Sequence, residues 1–362
     1  MYNFDEKKLI WLASLKGLND GDRFYLSTRI EEYDDLSKFL YDNQDIFNEL
    51  DKNYFDKVAA SVNEPYFSEI FEFYDKNNII CLTNISEKYP ELLLEIPDPP
   101  ICLFCKGNID LLNSDCIAII GTRHPTPYGE RVTFEFSKKL SEAGLTIVSG
   151  LAAGLDSIAH KGALESSGGT IAVLGSGLGN IYPKTNLYLA EQIIKENGLI
   201  LSEYPHNSKP EKYHFPQRNR IIAGLSKGTL ITEAPEKSGA LITADYTINY
   251  NRNLFAIPGN IYSENSKGTN NLIKLYSNSF VTAPEDILDE YQMKTEEKTI
   301  IMNENEAAVY TVLKQESLHY DRLYDILSEV SGFDVKKLTA VLNTMELKGL
   351  IIKHPGNIFS AC

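Results

Sequence analysis

From residue 116 onward, short apolar runs alternate with segments long enough to be helices. The runs lie at 116–120, 146–149, 170–174, 199–202, 229–232 and 254–257. Between them, 128–143, 158–165, 187–195, 219–225 and 241–249 carry apolar residues at helical spacing, and glycine marks most of the junctions. None of the runs alternates apolar with polar residues, which is how a strand reads when both of its faces are covered. Such strands, separated by helices, specify a parallel sheet sandwiched between helical layers. The expected fold class is α/β, a Rossmann-like doubly wound domain over 79–283, entered through short strands at 79–82 and 101–106.

The flanks read differently. Residues 1–78 are polar and acidic, with apolar positions such as Leu9, Leu12, Leu36, Phe39, Leu40, Ile70 and Tyr74 at helical intervals, and predict a small helical domain. Residues 284–302 read as a charged linker. Over 303–362, three helical segments precede a hairpin across Pro355-Gly356-Asn357, the pattern of a winged helix.

Composition limits what such a chain does. With 43% hydrophobic and 23% charged residues it can bury cores, and no apolar run approaches the roughly 18 residues of a membrane span. The apolar stretch 9–15 follows Asp5 and Glu6 and has no small-residue cleavage site, so a cytoplasmic location with no membrane partner is expected. Five scattered cysteines, 81, 102, 105, 116 and 362, read as reduced thiols. Cys102 and Cys105 form a CxxC, but on a strand residues three apart point to opposite faces, which serves neither zinc nor redox chemistry. The net charge of −15 is unevenly placed: residues 1–115 carry −12, 116–283 carry +3 and 284–362 carry −6. An anionic partner is therefore expected at the middle segment.

In an open parallel sheet, ligands bind beyond the carboxyl ends of the strands, where helix N-termini and backbone amides favour anions. Candidate loops there are Gly121-Thr122-Arg123, Ser149-Gly150, Gly175-Ser176-Gly177, Ser202-Glu203 and Ser238-Gly239. One such loop is no more than a turn; five at one edge make a site. The dinucleotide fingerprint and its ribose-binding acid are missing, as is the G-x-x-x-x-G-K-[ST] loop, so no cofactor is expected. The loops sit instead among cations: Arg123, Lys184, Lys212, Arg218 and Arg220, with Asn219 between the last two. Tyr182, Tyr204, Tyr213, His214 and Phe215 flank them, and at least one is expected to stack on a base. Asp156 and His160 lie four apart without a nucleophile elbow, which favours a cap and an orienting bond over a triad. Glu203 and Glu233 end two strands and are either an acid/base pair or partners for Arg218 and Arg220.

The segments IAIIGTRHPTPYG, SGLAAGLDSIAHKGAL, TIAVLGSGLGNIYPKTN, LILSEYP, FPQRNRIIAGLS, SGALITADYTINYNRNLFAIPGN and KGTNNLI, in this order over about 80–283, resemble the DNA-processing protein A (DprA/Smf) family. The resemblance implies an extended Rossmann-like domain that binds single-stranded DNA without catalysis, dimerises, and helps load RecA recombinase during transformation and recombination. It carries the phosphate-binding loop onto Gly121, Thr122 and Arg123, and the basic positions onto Lys184, Lys212, Arg218 and Arg220. Where the family usually has GSR and SGSLIT, this chain has Thr122 and Ala240, which leaves Ser238 as the side-chain phosphate ligand. The N-terminal helices resemble the family's sterile-alpha-motif-like or helix-hairpin-helix-like domain. For the winged helix, with six basic against eight acidic residues, a protein partner is expected rather than duplex DNA. Leu272, Ile273, Leu275, Tyr276 and Phe280 form an apolar stretch expected to be the dimer interface. The alternative is a nucleotide-binding or nucleotide-hydrolysing protein, because 227–233 distantly resembles a motif of hydrolytic relatives; the Pro-Gly-Gly of that motif is absent here.

Overall fold

The computed structural model describes residues 2–15, 18, 20–50, 54–60, 62, 64–166, 168–293 and 302–361. They divide into two compact units, Met1–Thr295 and Glu296–Cys362.

The larger unit begins with helices α1 (Phe4–Ser14), α2 (Asp20–Ile30), α3 (Leu36–Asp42), α4 (Gln44–Leu50), α5 (Tyr54–Ala60) and α6 (Glu64–Lys76). Asn3 and Glu6 start α1 as a capping box, each side chain accepting the other's backbone N–H at 2.9 Å. Lys8, almost fully buried, donates to the Ile30 and Tyr33 carbonyls at 3.2 and 3.0 Å and so closes the carboxyl end of α2. Leu9 to Ala13 are buried in a cluster that also holds Cys81, Cys102, Phe104, Leu189 and Ile193. The helices expected as a separate domain over 1–78 therefore share one core with the sheet that follows.

That sheet has eight strands: β1 (Ile80–Thr83), β2 (Cys102–Gly107), β3 (Cys116–Ile120), β4 (Thr146–Ser149), β5 (Thr170–Val173), β6 (Leu199–Ser202), β7 (Gly228–Ile231) and β8 (Asn253–Ala256). Their spatial order is β1-β2-β6-β5-β4-β3-β7-β8. The six strands from β6 to β8 are mutually parallel, and the antiparallel pair β1 and β2 extends the sheet beside β6. A short α7 (Glu91–Leu94) joins β1 to β2. The other helices are α8 (Pro127–Glu142), α9 (Leu155–Leu164), α10 (Leu187–Lys195), α11 (His214–Leu225), α12 (Gly239–Asn249), α13 (Lys267–Leu275) and α14 (Pro284–Glu290).

Register explains why the strand sequences are apolar throughout. Ile117, Ile119 and Ile147 pack on Phe136, Leu140 and Ala159 of α8 and α9, while the intervening Ala118, Ile120 and Val148 pack on Ile221, Ile222 and Ala244 of α11 and α12. The chain winds from β3 outward to β6, then returns through α11 to place β7 on the other side of β3. Connections leaving β3 and β7 therefore part to opposite faces, which opens a crevice at their carboxyl ends.

The expected linker starts later than its composition suggested. Pro284 opens α14, Asp286 accepts the Thr282 and Ala283 amides at 2.7 and 3.0 Å, and Ile287 and Leu288 are buried with Phe136 and Leu140. The remainder, 294–301, lies outside the described residues.

The smaller unit holds α15 (Glu304–Leu313), β9 (Leu318–His319), α16 (Tyr320–Ser331), α17 (Val335–Leu347), β10 (Ile351–His354) and β11 (Ile358–Ala361). Its sheet is antiparallel in the order β10-β11-β9. Val309, Leu323, Leu338, Leu342 and Phe359 fill its own core, and the arrangement is a winged helix.

Candidate nucleic-acid interface

At the crevice lies an open cavity of about 670 Å³. Three segments build most of it, the loop after β3, the approach to α11 with its first turns, and the loop after β7 where α12 begins, while Ala152 and Asp156 after β4 and Tyr182 after β5 complete the lining. Nine of the fourteen expected binding residues line it, namely Gly121, Thr122, Arg123, Lys212, Phe215, Arg218, Asn219, Ser238 and Gly239. Ser149, Gly150, Gly175, Lys184 and Arg220 do not.

Helical geometry explains much of that division. FPQR, expected to precede a helix over 219–225, is itself part of the start of α11, with Pro216 in the first turn where its missing N–H costs nothing. Phe215, Arg218, Asn219 and Ile222 then fall on one side, and all four line the cavity. Arg220 points elsewhere: it pairs with Glu203 at 2.5 Å and with Asp98 at 3.0 Å, and only 5% of it is exposed. The expectation that it binds the ligand is corrected by that ion pair.

Arg218 is a floor rather than a finger. Its guanidinium donates to the carbonyls of Gly150 and Val173, at the ends of β4 and β5, and 3% of the residue is exposed. Burial lowers its pKa to about 10, and Asp156 opposes that fall, so it stays charged at neutral pH. Asp156 accepts the Gly150 and Ala152 amides at 3.2 and 3.4 Å. Its own pKa is raised by burial, against the pull of Arg218. The glycines at β4 and β5 make room for these groups: a Cβ on Gly150 would meet the Arg218 guanidinium at 2.5 Å, and one on Gly175 the Phe215 ring at 2.9 Å. Ser149 is fully buried and donates to the Ile119 carbonyl at 2.7 Å, which makes it a tie between strands. Lys184 is exposed and opens a single 3-10 turn beyond Tyr182, outside the cavity lining.

The cavity's charge comes from Arg123, Lys212, Arg218 and Lys237 against one carboxylate, Asp156. Arg123 lies with its guanidinium carbon 5.7 Å from the Phe215 ring centre, and Tyr182 packs on the same ring at 5.7 Å. At the mouth of α12, Ser238 caps the helix by accepting the Ala240 amide at 3.2 Å, which leaves its hydroxyl hydrogen free to donate. Asn219 donates to the Gly239 carbonyl at 3.3 Å and so ties α11 to this turn. Nothing lies within 4 Å of the position a Gly239 side chain would take, so a ligand can approach the backbone there. Sequence reasoning missed Lys237, although its place just before a helix start was a usable signal. Of the five expected aromatics, Tyr182 and Phe215 line the cavity. Tyr204 and His214 are buried and stacked on each other at 3.9 Å.

The titratable side chains near the cavity make structural contacts. His160 is fully buried against Thr170, Nδ1 to Oγ1 at 2.8 Å, and burial, with Arg218 nearby, lowers its pKa to about 3. The Asp156 carboxylate is spent on amides. Glu203 holds Arg220, and Glu233 accepts the Thr126 N–H at 2.9 Å and hydroxyl at 2.6 Å, at the start of α8. Cys102 and Cys105 belong to clusters on opposite faces of the sheet, and both thiols are pushed up in pKa by burial.

The expected dimer surface is divided as well. Leu272 belongs to the core and Ile273 packs against it, whereas Leu275, Tyr276 and Phe280 are 72%, 41% and 52% exposed.

Residues 80–292 match the family profile of DNA recombination-mediator protein A. The chain is 48% identical over 222 residues to Protein Smf of Synechocystis, an alignment covering 60% of this chain and 56% of that protein's length. Among solved structures it is similar to DNA processing protein A of Streptococcus pneumoniae, at 34% identity and a TM-score of 0.67 over 80% of this chain and 99% of that one. It is also similar to DNA processing protein A of Helicobacter pylori, a structure described for its single-stranded DNA binding mode, at 35% identity and a TM-score of 0.53 over 59% and 95% of the two chains. The profile match spans more than half of the sequence, and the chain therefore belongs to the DNA recombination-mediator protein A family.

Proposed function

We propose that the cavity between β3 and β7 binds single-stranded DNA through its phosphate backbone, without catalysis. On this reading the protein is cytoplasmic, acts as a homodimer, and passes the strand to RecA recombinase in transformation and recombination. The observation that carries it is the lining: four cations to one carboxylate, beside a helix start and the aromatic pair of exposed Tyr182 and half-buried Phe215, in a chain whose net charge is −15. The family's role as a recombination mediator and the strand-binding description of the H. pylori structure support it. Nucleotide hydrolysis is disfavoured, because the carboxylates at the strand ends are engaged in holding Arg220 and the start of α8.

The test sets oligo-dT binding, followed by fluorescence anisotropy, beside product release from nucleoside monophosphates. Affinity for oligo-dT should fall with added salt at a log–log slope of about −0.7 per phosphate neutralised. Salt-independent binding, or turnover of nucleotides, would overturn the proposal.

A further inference from the structure

A second concavity, of about 540 Å³, opens on the same carboxyl edge of the sheet. The two share their walls. The loop after β3 gives Gly121 to His124 to the first and Thr126 to the second, which Tyr128 in the first turn of α8 also lines; the loop after β7 gives Pro235 to the first and Glu233 to the second. Asn265, from the loop after β8, donates to the His124 carbonyl at 2.7 Å and pins the partition.

Their chemistry differs. Among the described residues, no lysine or arginine lines the second concavity and Glu233 is its one carboxylate, both of whose oxygens accept hydrogen bonds from Thr126. A site with no cation and one carboxylate repels phosphate but accepts a base or sugar, whose donors and acceptors its hydroxyl and amide groups can meet. At its rim, between the lining residues Asn260 and Ser263, Tyr262 is 88% exposed and Ile261 73%. The turn that presents Tyr262 is held by its N–H donating to Asn260 Oδ1 at 2.9 Å, and Tyr128 braces the same loop through its hydroxyl on the Pro258 carbonyl at 2.9 Å. An aromatic ring this exposed on a braced loop, next to a concavity without cations and a cationic cleft, has the make-up of a stacking platform.

We propose that this concavity is a base subsite for the nucleotide next to the one whose phosphate occupies the charged cleft, with Tyr262 as its stacking face. The proposal rests on the strand-binding reading above and adds a contact that does not depend on charge. Two variants test it: Tyr262→Ala removes the ring, and Ser263→Trp fills the concavity without touching the charged cleft. Each should weaken binding of a 12-nucleotide oligo-dT roughly tenfold, with the salt slope of the wild type kept. A single 2-aminopurine that is quenched on binding wild type should stay bright with Tyr262→Ala. Arg123→Ala provides the contrast, since it should lower both the affinity and the slope. Wild-type affinity in both variants, with Arg123→Ala impaired, would overturn the subsite and leave the cleft standing. A change in dimer mass by light scattering without loss of the quench would also overturn it, by making Tyr262 a subunit contact. Failure of the wild type to bind oligo-dT would overturn both readings.

Discussion

The two arginines nearest the cavity differ in what they are free to do. Arg123 is exposed and rests on the Phe215 ring, so its charge can turn toward a phosphate, whereas Arg218 is committed to two strand-end carbonyls. Arg123→Ala and Lys212→Ala should each cost about 1–3 kcal/mol in oligo-dT binding, with thermal unfolding unchanged and no dependence on base sequence. Isothermal titration with oligo-dT and oligo-dC checks this; wild-type affinity in both variants would place the site elsewhere. His160 supplies a pH test of the core. Its folded pKa is lowered from 6.5 to about 3, so between those values the unfolded chain holds a proton that the folded chain refuses. Its contribution to stability is therefore complete above about pH 6.5 and lost as the pH falls toward 3, amounting to ~2 kcal/mol between pH 7 and 5. Urea midpoints at the two pH values should drop less in His160→Gln than in wild type. An identical drop would mean that His160 is not the residue that titrates.

At the scale of elements, strands were the most legible part of the sequence and helix starts the least. The runs at 116–120, 146–149 and 199–202 are strands over those same residues, because an apolar stretch between glycines in an α/β chain has few other uses. The start of α11 was hidden by Pro216, which reads as a breaker until it is recognised as a first-turn residue. That misreading left Arg218 ahead of the helix expected over 219–225, whereas α11 carries both arginines and sets them about 200° apart. Likewise α14 was lost because Ile287, Leu288 and Tyr291 stand among acids, and only burial against α8 makes them a helix face. Of the candidate site, Arg123, Lys212, Ser238 and Gly239 were legible because loop residues before helices face the carboxyl edge by topology alone. Nothing in the sequence marked Ser149 as a tie between strands, since a serine at a strand end looks the same in either role. Arg220→Ala should separate the two sides of α11. By taking the guanidinium from buried Glu203 it should cost ~3–5 kcal/mol of stability, while the remaining folded protein keeps the wild-type salt slope for oligo-dT. A reduced slope in that variant would return Arg220 to the interface.

For the whole molecule, one cleft carrying a few phosphate contacts makes a weak hold on a long strand, and pairing two clefts is the way to strengthen it without adding contacts. The exposed remainder of the expected dimer surface, Leu275, Tyr276 and Phe280, lies at the end of α13 and in the turn after it. Leu272 cannot be used to test it, since the side chain is 7% exposed within the sheet's core and a glutamate there would damage the fold. The informative variant is Leu275→Glu with Phe280→Glu, which changes only exposed side chains. In a two-fold dimer the same patch faces its own copy, so each substitution is felt twice, and four carboxylates are set against one another across the interface. Light scattering should then give the mass of one chain, about 40.7 kDa, with unfolding behaviour near wild type. Binding should respond to length: an oligonucleotide short enough for one cleft should bind the variant as it binds wild type, while a long one should lose 10- to 100-fold as avidity disappears. A monomer that still binds long oligonucleotides like wild type would show that the two clefts do not act together, and an unchanged dimer mass would move the interface off this surface.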